Sequence, residues 1–116
     1  MLARMSRIEL LHRLIEASMP IPEAVSRLAE LSWDGEEDLV ELVPEHCSNV
    51  ISQFLRGAIA GTEVEAWANA VECREDVKIN SSLVGEVLHE LANPTLTHCL
   101  SPARGKELLS QLQYAG

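Results

Sequence analysis

Two His-Cys dipeptides are the residues of this chain whose types come closest to a recognisable chemical site. They stand at His46-Cys47 and His98-Cys99, and imidazole and thiolate are ligands that Zn²⁺ prefers. Adjacent residues on a helix point about 100° apart, so Cys47 on an apolar stripe and His46 beside it do not readily converge on one ion. We therefore expect a buried cysteine and a surface histidine here, with no metal or other cofactor.

The remaining candidates for catalysis lack the partners that catalysis needs. His12 and His89 have no serine or cysteine at a spacing that indicates an activated nucleophile. No pair of carboxylates is set in apolar surroundings that would raise one pKa for acid catalysis. Glycine-rich phosphate-binding patterns are also missing from the sequence. We expect that the chain is not an enzyme.

Carboxylates placed four residues apart are the most informative charged feature. The three like-charge pairs are Glu37 with Glu41, Glu72 with Asp76, and Glu86 with Glu90. The N-terminal segment uses the same spacing for the opposite-charge pairs Glu9 with Arg13 and Glu23 with Arg27, which stabilise a helix. Solubility explains any one acidic pair. Three of them together favour an acidic face that steers a basic partner into place.

The net charge of −9 comes from one block of the chain. Residues 33–91 hold thirteen Asp or Glu against three basic residues, whereas residues 1–32 hold four of each sign. Such an acidic block repels the phosphates of nucleic acid and of anionic membranes. We therefore expect neither of these as a partner and, if there is a partner, a basic protein.

Length and composition indicate one globular domain over residues 1–116. The chain is 47% hydrophobic and 23% charged, which is ordinary for a folded protein, and aromatic residues are only 3%, so aliphatic side chains must fill the core. No apolar run is long enough to cross a bilayer, and the first residues lack the apolar centre of a signal peptide. We expect a cytoplasmic protein whose three cysteines are reduced.

The segment from residue 61 to residue 76 carries the clearest helical pattern. Thr62 and Glu65 have capping-box spacing, so a helix is predicted to begin there. Its apolar stripe is Val64, Trp67, Ala68 and Val71, which recur at the spacing of one helix face. Its acidic flank is Glu65, Asn69, Glu72 and Asp76. This flank is the best candidate for a contact surface.

Six other segments also show helical signals, and none shows a convincing strand. A first helix follows Ser6, with Ile8, Leu11, Leu14 and Ile15 predicted to face inward. The other predicted helices are one from Pro22 with Val25, Leu28, Ala29 and Leu31 inward, one over residues 36–43, one from Pro44 with Phe54 central, one capped by Ser81 or Ser82, and one capped by Ser101. Val77 and Ile79 alternate but are too few to indicate a strand. The predicted fold is all-α, a compact bundle of six or seven short helices.

Two segments of the sequence resemble known proteins. They are residues 65–77, with their Trp-Ala-Asn and Glu-x-Arg-x-Asp patterns, and Leu-Ala-Asn-Pro at residues 91–94. Over roughly residues 36–112 the chain resembles a group of small all-helical bacterial proteins. Some of these resemble immunity proteins of toxin systems such as contact-dependent growth inhibition. The resemblance implies a stoichiometric inhibitor that binds a toxin domain and covers its active site.

Two functions of different classes follow from the sequence. In the first, the protein binds a basic protein, most concretely a toxin domain, through Glu37, Glu41, Glu65, Asn69, Glu72 and Asp76. In the second, it is a structural or regulatory helical protein, with a homodimer as one form, and its acidity serves solubility alone. Arg74 leaves a structural role open for Glu72 and Asp76, because arginine pairs readily with neighbouring carboxylates.

Overall fold

The fold is that of a computed structural model, which describes residues 7–30, 40–72, 74, 77–96 and 99–115. The described residues form six helices, which are α1 (Arg7–Glu16), α2 (Ile21–Ala29), α3 (Pro44–Leu55), α4 (Gly61–Glu72), α5 (Ser82–Ala92) and α6 (Pro102–Ala115). Two short strands, β1 (Val40–Leu42) and β2 (Val77–Ile79), lie between them. The predicted helical bundle is confirmed. No helix in the part of the chain described is long and apolar enough to cross a membrane.

The small sheet is the main departure from the predicted elements. β1 pairs with β2 in parallel, with Val40 opposite Val77. The prediction of a helix over residues 36–43 is therefore wrong at Val40–Leu42, and the rejection of a strand at Val77 and Ile79 is wrong as well. Each strand is too short to be recognised alone, because its backbone hydrogen bonds come from a segment far away in the sequence.

The proline that follows β1 separates the strand from α3. Pro44 lies in the first turn of α3 and keeps Val43 extended, at φ −110° and ψ 164°. In β1, Val40 and Leu42 are buried and Glu41 is exposed, as expected of a strand with one face on the core. The chain therefore changes from strand to helix without a loop.

Helix α4 lies at the centre of the molecule and contacts α1, α2, α3 and α5. Its predicted stripe is confirmed, since Val64, Trp67, Ala68 and Val71 are all buried. The Trp67 indole Nε1 donates a hydrogen bond of 2.7 Å to the carbonyl oxygen of Leu14, near the end of α1. Phe54, predicted to be central, is only partly buried at the edge of the core. Trp67 takes the central place because it lies in the middle of α4, whereas Phe54 is next to the last residue of α3.

The inward faces of α1 and α2 are rotated slightly from their predicted positions. In α1 the buried residues are Leu10, Leu11, Leu14 and Ile15. Ile8 is 45% exposed, because it lies in the first turn at the edge of that stripe. In α2 the buried residues are Ile21, Ala24 and Leu28, whereas Ala29 is exposed. Ile8 and Ala29 were therefore wrongly assigned to the core, and Leu31 lies outside the described residues.

Two predicted caps are confirmed and one is displaced. Ser81 Oγ accepts a hydrogen bond from the Val84 amide, and Ser101 Oγ accepts one from the Arg104 amide, at the starts of α5 and α6. At α4 the predicted box of Thr62 and Glu65 is wrong. The helix begins at Gly61, and Glu63 Oε1 accepts the Ala60 amide hydrogen at 3.1 Å. Glu65 is thereby left free of any capping role.

Candidate protein-binding surface

The outward sides of α4 and α5, which pack directly against each other, form an acidic surface. We call it the α4–α5 face, and its polar residues are Glu65, Asn69, Glu72, Glu86 and His89. Asn69, Glu72, Glu86 and His89 are exposed, and Glu65 is half-buried. The two helices together contain five glutamates and no lysine or arginine. Three of the predicted site residues, Glu65, Asn69 and Glu72, therefore lie together on one helix side.

Within this face, Glu72 at the end of α4 contacts His89 of α5. Glu72 Oε2 lies 3.3 Å from His89 Nδ1, and the Asn93 amide nitrogen lies 3.2 Å from the same ring nitrogen. One nitrogen cannot donate to the carboxylate and accept from the amide at once, so the tautomer of His89 selects the partner. His89 is the only histidine, lysine or arginine of α4 and α5.

A cleft of about 240 Å³ lies between the first turn of α4 and the last turn of α5. We call it the α4–α5 cleft. It is lined by Gly61, Thr62, Glu65, Glu90, Leu91, Pro94 and Leu100. Two carboxylates therefore border a space whose remaining side chains are largely apolar. Glu65 makes no ion pair or side-chain hydrogen bond with any residue in the described ranges.

The second carboxylate of the cleft is neutralised by a cation from another helix. Arg104 of α6 donates from Nη2 to Glu90 Oε1 at 2.6 Å and from Nε to Glu90 Oε2 at 2.7 Å. The Glu90 hydrogen bond raises the pKa of the guanidinium further above its usual range. Glu86 and Glu90 do lie one turn apart on α5, but Glu90 is bound by Arg104, and of the two only Glu86 is without a partner among the described residues. Helix periodicity carries no signal for a partner fourteen residues away.

Comparison with known proteins adds no relative to this description. No family model, curated protein or solved structure matches the chain. The resemblance to toxin immunity proteins accordingly stays a hypothesis.

The other predicted contact residues are not part of the α4–α5 face as described. Glu41 is exposed on β1, and its neighbour in the parallel register is Lys78 of β2. Glu41 lies in a strand, so the predicted helical setting is wrong at Glu41. Glu37 and Asp76 lie outside the described residues, and so does the pairing of Asp76 with Glu72.

The first His-Cys dipeptide is a structural feature of α3. Cys47 is fully buried, as predicted, and burial raises the pKa of its thiol to about 12. His46 is half-buried rather than on the surface, because its Nδ1 accepts the Val43 amide hydrogen at 3.0 Å and so caps the helix. Burial lowers the pKa of His46. Of the second dipeptide, Cys99 is exposed and His98 is not described. The described ranges hold no group of three or more metal-ligating side chains.

Proposed function

We propose that the protein is a non-enzymatic binding module that engages a basic protein through the α4–α5 face, as an immunity protein neutralising a toxin domain. The observation that carries this proposal is the concentration of five glutamates, without lysine or arginine, on two adjacent helices. Three of these carboxylates, Glu65, Glu72 and Glu86, have no lysine or arginine partner in the described structure.

The physical basis is electrostatic complementarity. A surface with several unpaired carboxylates raises the local concentration of a cationic partner and speeds its association. The substrate cleft of a nuclease is a cationic surface of the required kind, since it must bind phosphates. A protein that covered such a cleft would block the enzyme without chemistry of its own. The charge distribution on α1 and α2 differs, because Glu23 there pairs with Arg27 at 3.8 Å.

The first test is identification of the partner. Affinity capture from the native host should yield a basic protein domain, and expression of that domain alone should arrest growth. Co-expression with this protein should restore growth. Recovery of the protein only with copies of itself, or capture of a partner that is not toxic, would contradict the immunity role.

The second test maps the face by charge reversal. The variants Glu72→Lys and Glu86→Lys should each slow association with the captured domain. The double variant should slow it by about tenfold at low salt. The loss should shrink as salt rises, because exposed charges are screened. Glu30→Lys is the matched control, since Glu30 is exposed after α2 and has no partner in the described ranges. Equal effects of all three changes would show a response to net charge and remove this face from the interface.

A further inference from the structure

The α4–α5 cleft has one uncompensated negative charge. Glu90 is held by two short hydrogen bonds to Arg104, which also lies 3.4 Å from the exposed carboxylate of Glu107, so the charge of Glu90 is compensated. Glu65 has no such partner in the described structure, and its displacement from the predicted helix cap leaves its carboxylate available. The cleft is therefore suited to a single cation.

The partial charges at the start of α4 and at the end of α5 do not oppose the binding of a cation in this cleft. The start of α4 carries partial positive charge, but Glu63 sits in its first turn and accepts the Ala60 amide hydrogen. The end of α5 carries partial negative charge and lies at the same cleft, beside Leu91 and Pro94. The two helix ends therefore offset each other, and the carboxylate of Glu65 determines the local sign.

The rest of the cleft is suited to an aliphatic stem. Leu91, Pro94 and Leu100 provide its apolar lining. Leu96, two residues after Pro94 on the turn closed by the hydrogen bond from its amide to the Asn93 carbonyl, is 78% exposed. A long basic side chain places methylene groups on apolar surface and its charge on a carboxylate.

We propose that the α4–α5 cleft receives one arginine side chain of the partner protein, with its guanidinium on Glu65 and its methylene groups against Leu91 and Pro94. Arginine fits better than lysine, because a guanidinium is planar, weakly hydrated and able to bind a carboxylate with two hydrogen bonds. This inference rests on the proposed function and names the anchoring group at the same face.

The probe that tests it is N-acetylarginine methylamide, added to ¹⁵N-labelled protein and followed by amide chemical shifts. Saturable shifts are expected at Gly61, Thr62, Glu65, Leu91 and Leu100, in the millimolar range because one solvent-accessible ion pair contributes little affinity. N-acetylcitrulline methylamide has nearly the same shape without the charge and should give no saturable shifts there. Equal responses to the two probes, or shifts spread over all exposed carboxylates, would overturn the proposal.

Matched variants separate Glu65 from its neighbours. Glu65→Gln should weaken arginine binding about three- to fivefold. Glu30→Gln removes an exposed carboxylate that neither lines the cleft nor belongs to the α4–α5 face, and should leave binding unchanged. An effect of Glu30→Gln as large as that of Glu65→Gln would overturn the assignment.

The probe and the charge-reversal experiment fail independently. If the arginine probe does not bind but Glu72→Lys and Glu86→Lys still slow association, the cleft assignment is wrong and the acidic face stands. If the probe binds but the reversals leave association unchanged, the proposed function is wrong at this face.

Discussion

At the residue scale, two residues with positive φ end helices in the same way. Ala17 has φ +51° and Gly57 has φ +78°. After α1, the Ala17 amide donates to Leu14 and the Ser18 amide to Arg13. After α3, the corresponding bonds join Gly57 to Phe54 and Ala58 to Gln53. Both are Schellman caps, in which glycine is the favoured residue. Ala17 therefore holds a conformation that its Cβ disfavours.

The two caps predict changes in the free energy of unfolding that have opposite signs. Ala17→Gly should raise the free energy of unfolding, and Gly57→Ala should lower it, each by about 0.5–1 kcal/mol. No atom lies within 4 Å of the position that a Cβ at Gly57 would take, so its effect reports backbone conformation alone. Urea denaturation measures both values. Changes of the same sign would contradict the shared cap geometry.

His46 is the second residue whose role depends on local detail. Its Nδ1 must carry no proton in order to accept the Val43 amide hydrogen, and burial lowers its pKa below 6.5. Between the folded and unfolded pKa values, the unfolded chain binds the proton more readily. Protonation therefore favours unfolding, and the stability from this group is lost as pH falls below about 6.5.

The corresponding prediction concerns pH dependence. His46→Gln should retain the cap, because a glutamine side-chain oxygen can accept the same bond without titrating. The decrease in unfolding free energy between pH 7.5 and pH 5.5 should be smaller in this variant than in the unmodified protein. His89→Gln, which changes an exposed histidine on α5, is the control and should keep the larger decrease. An equal decrease in the His46 variant would exclude this role.

At the element scale, α6 is attached to the bundle by close packing and by one ion pair. Gly105 lies against α3, where an added Cβ would come within 3.2 Å of Leu55 Cδ2. Arg104, one residue earlier, reaches α5 and binds Glu90, and these two side chains are only 22% and 12% exposed. Helix α6 thus lies against two helices at once. Gly105, which has no side chain, allows close packing on α3, and the two hydrogen bonds from Arg104 join α6 to α5.

The ion pair of Arg104 with Glu90 should contribute more to stability than an exposed ion pair does. Arg104→Ala should lower the free energy of unfolding by about 1–2 kcal/mol, because Glu90 is left largely buried without its main cation. Arg27→Ala should cost less than about 0.5 kcal/mol, since Arg27 and Glu23 are each about half exposed. Thermal or urea unfolding measures both. Equal losses would mean that the ion pair of Arg104 with Glu90 adds no more than a surface pair.

At the scale of the whole molecule, the helices that form the acidic face also form the centre of the core. Trp67 and Leu88 are fully buried on the inward sides of α4 and α5, while Glu72 and Glu86 lie on the outward sides. The face is therefore carried by two helices whose inward sides are buried in the core. The proposed binding surface, held on such helices, loses little conformational entropy when a partner associates.

The sequence determined the local features of this protein. The inward stripe of α4 and the serine caps at Ser81 and Ser101 are readable because helix faces and caps depend on residues three or four positions apart. The side-by-side placement of Glu65, Asn69 and Glu72 follows from the same periodicity. Most of the helical architecture was therefore predictable without tertiary information.

Only the tertiary structure decided which of these charges are free and where the short strands pair. Val40 meets Val77, Glu90 meets Arg104, and the Trp67 indole meets the end of α1 through contacts between distant parts of the chain. Local periodicity cannot show such contacts, because each depends on how separate elements pack. The same packing neutralises Glu90 and leaves Glu65 unpaired, and so turns an acidic stretch of sequence into a cleft with one available charge.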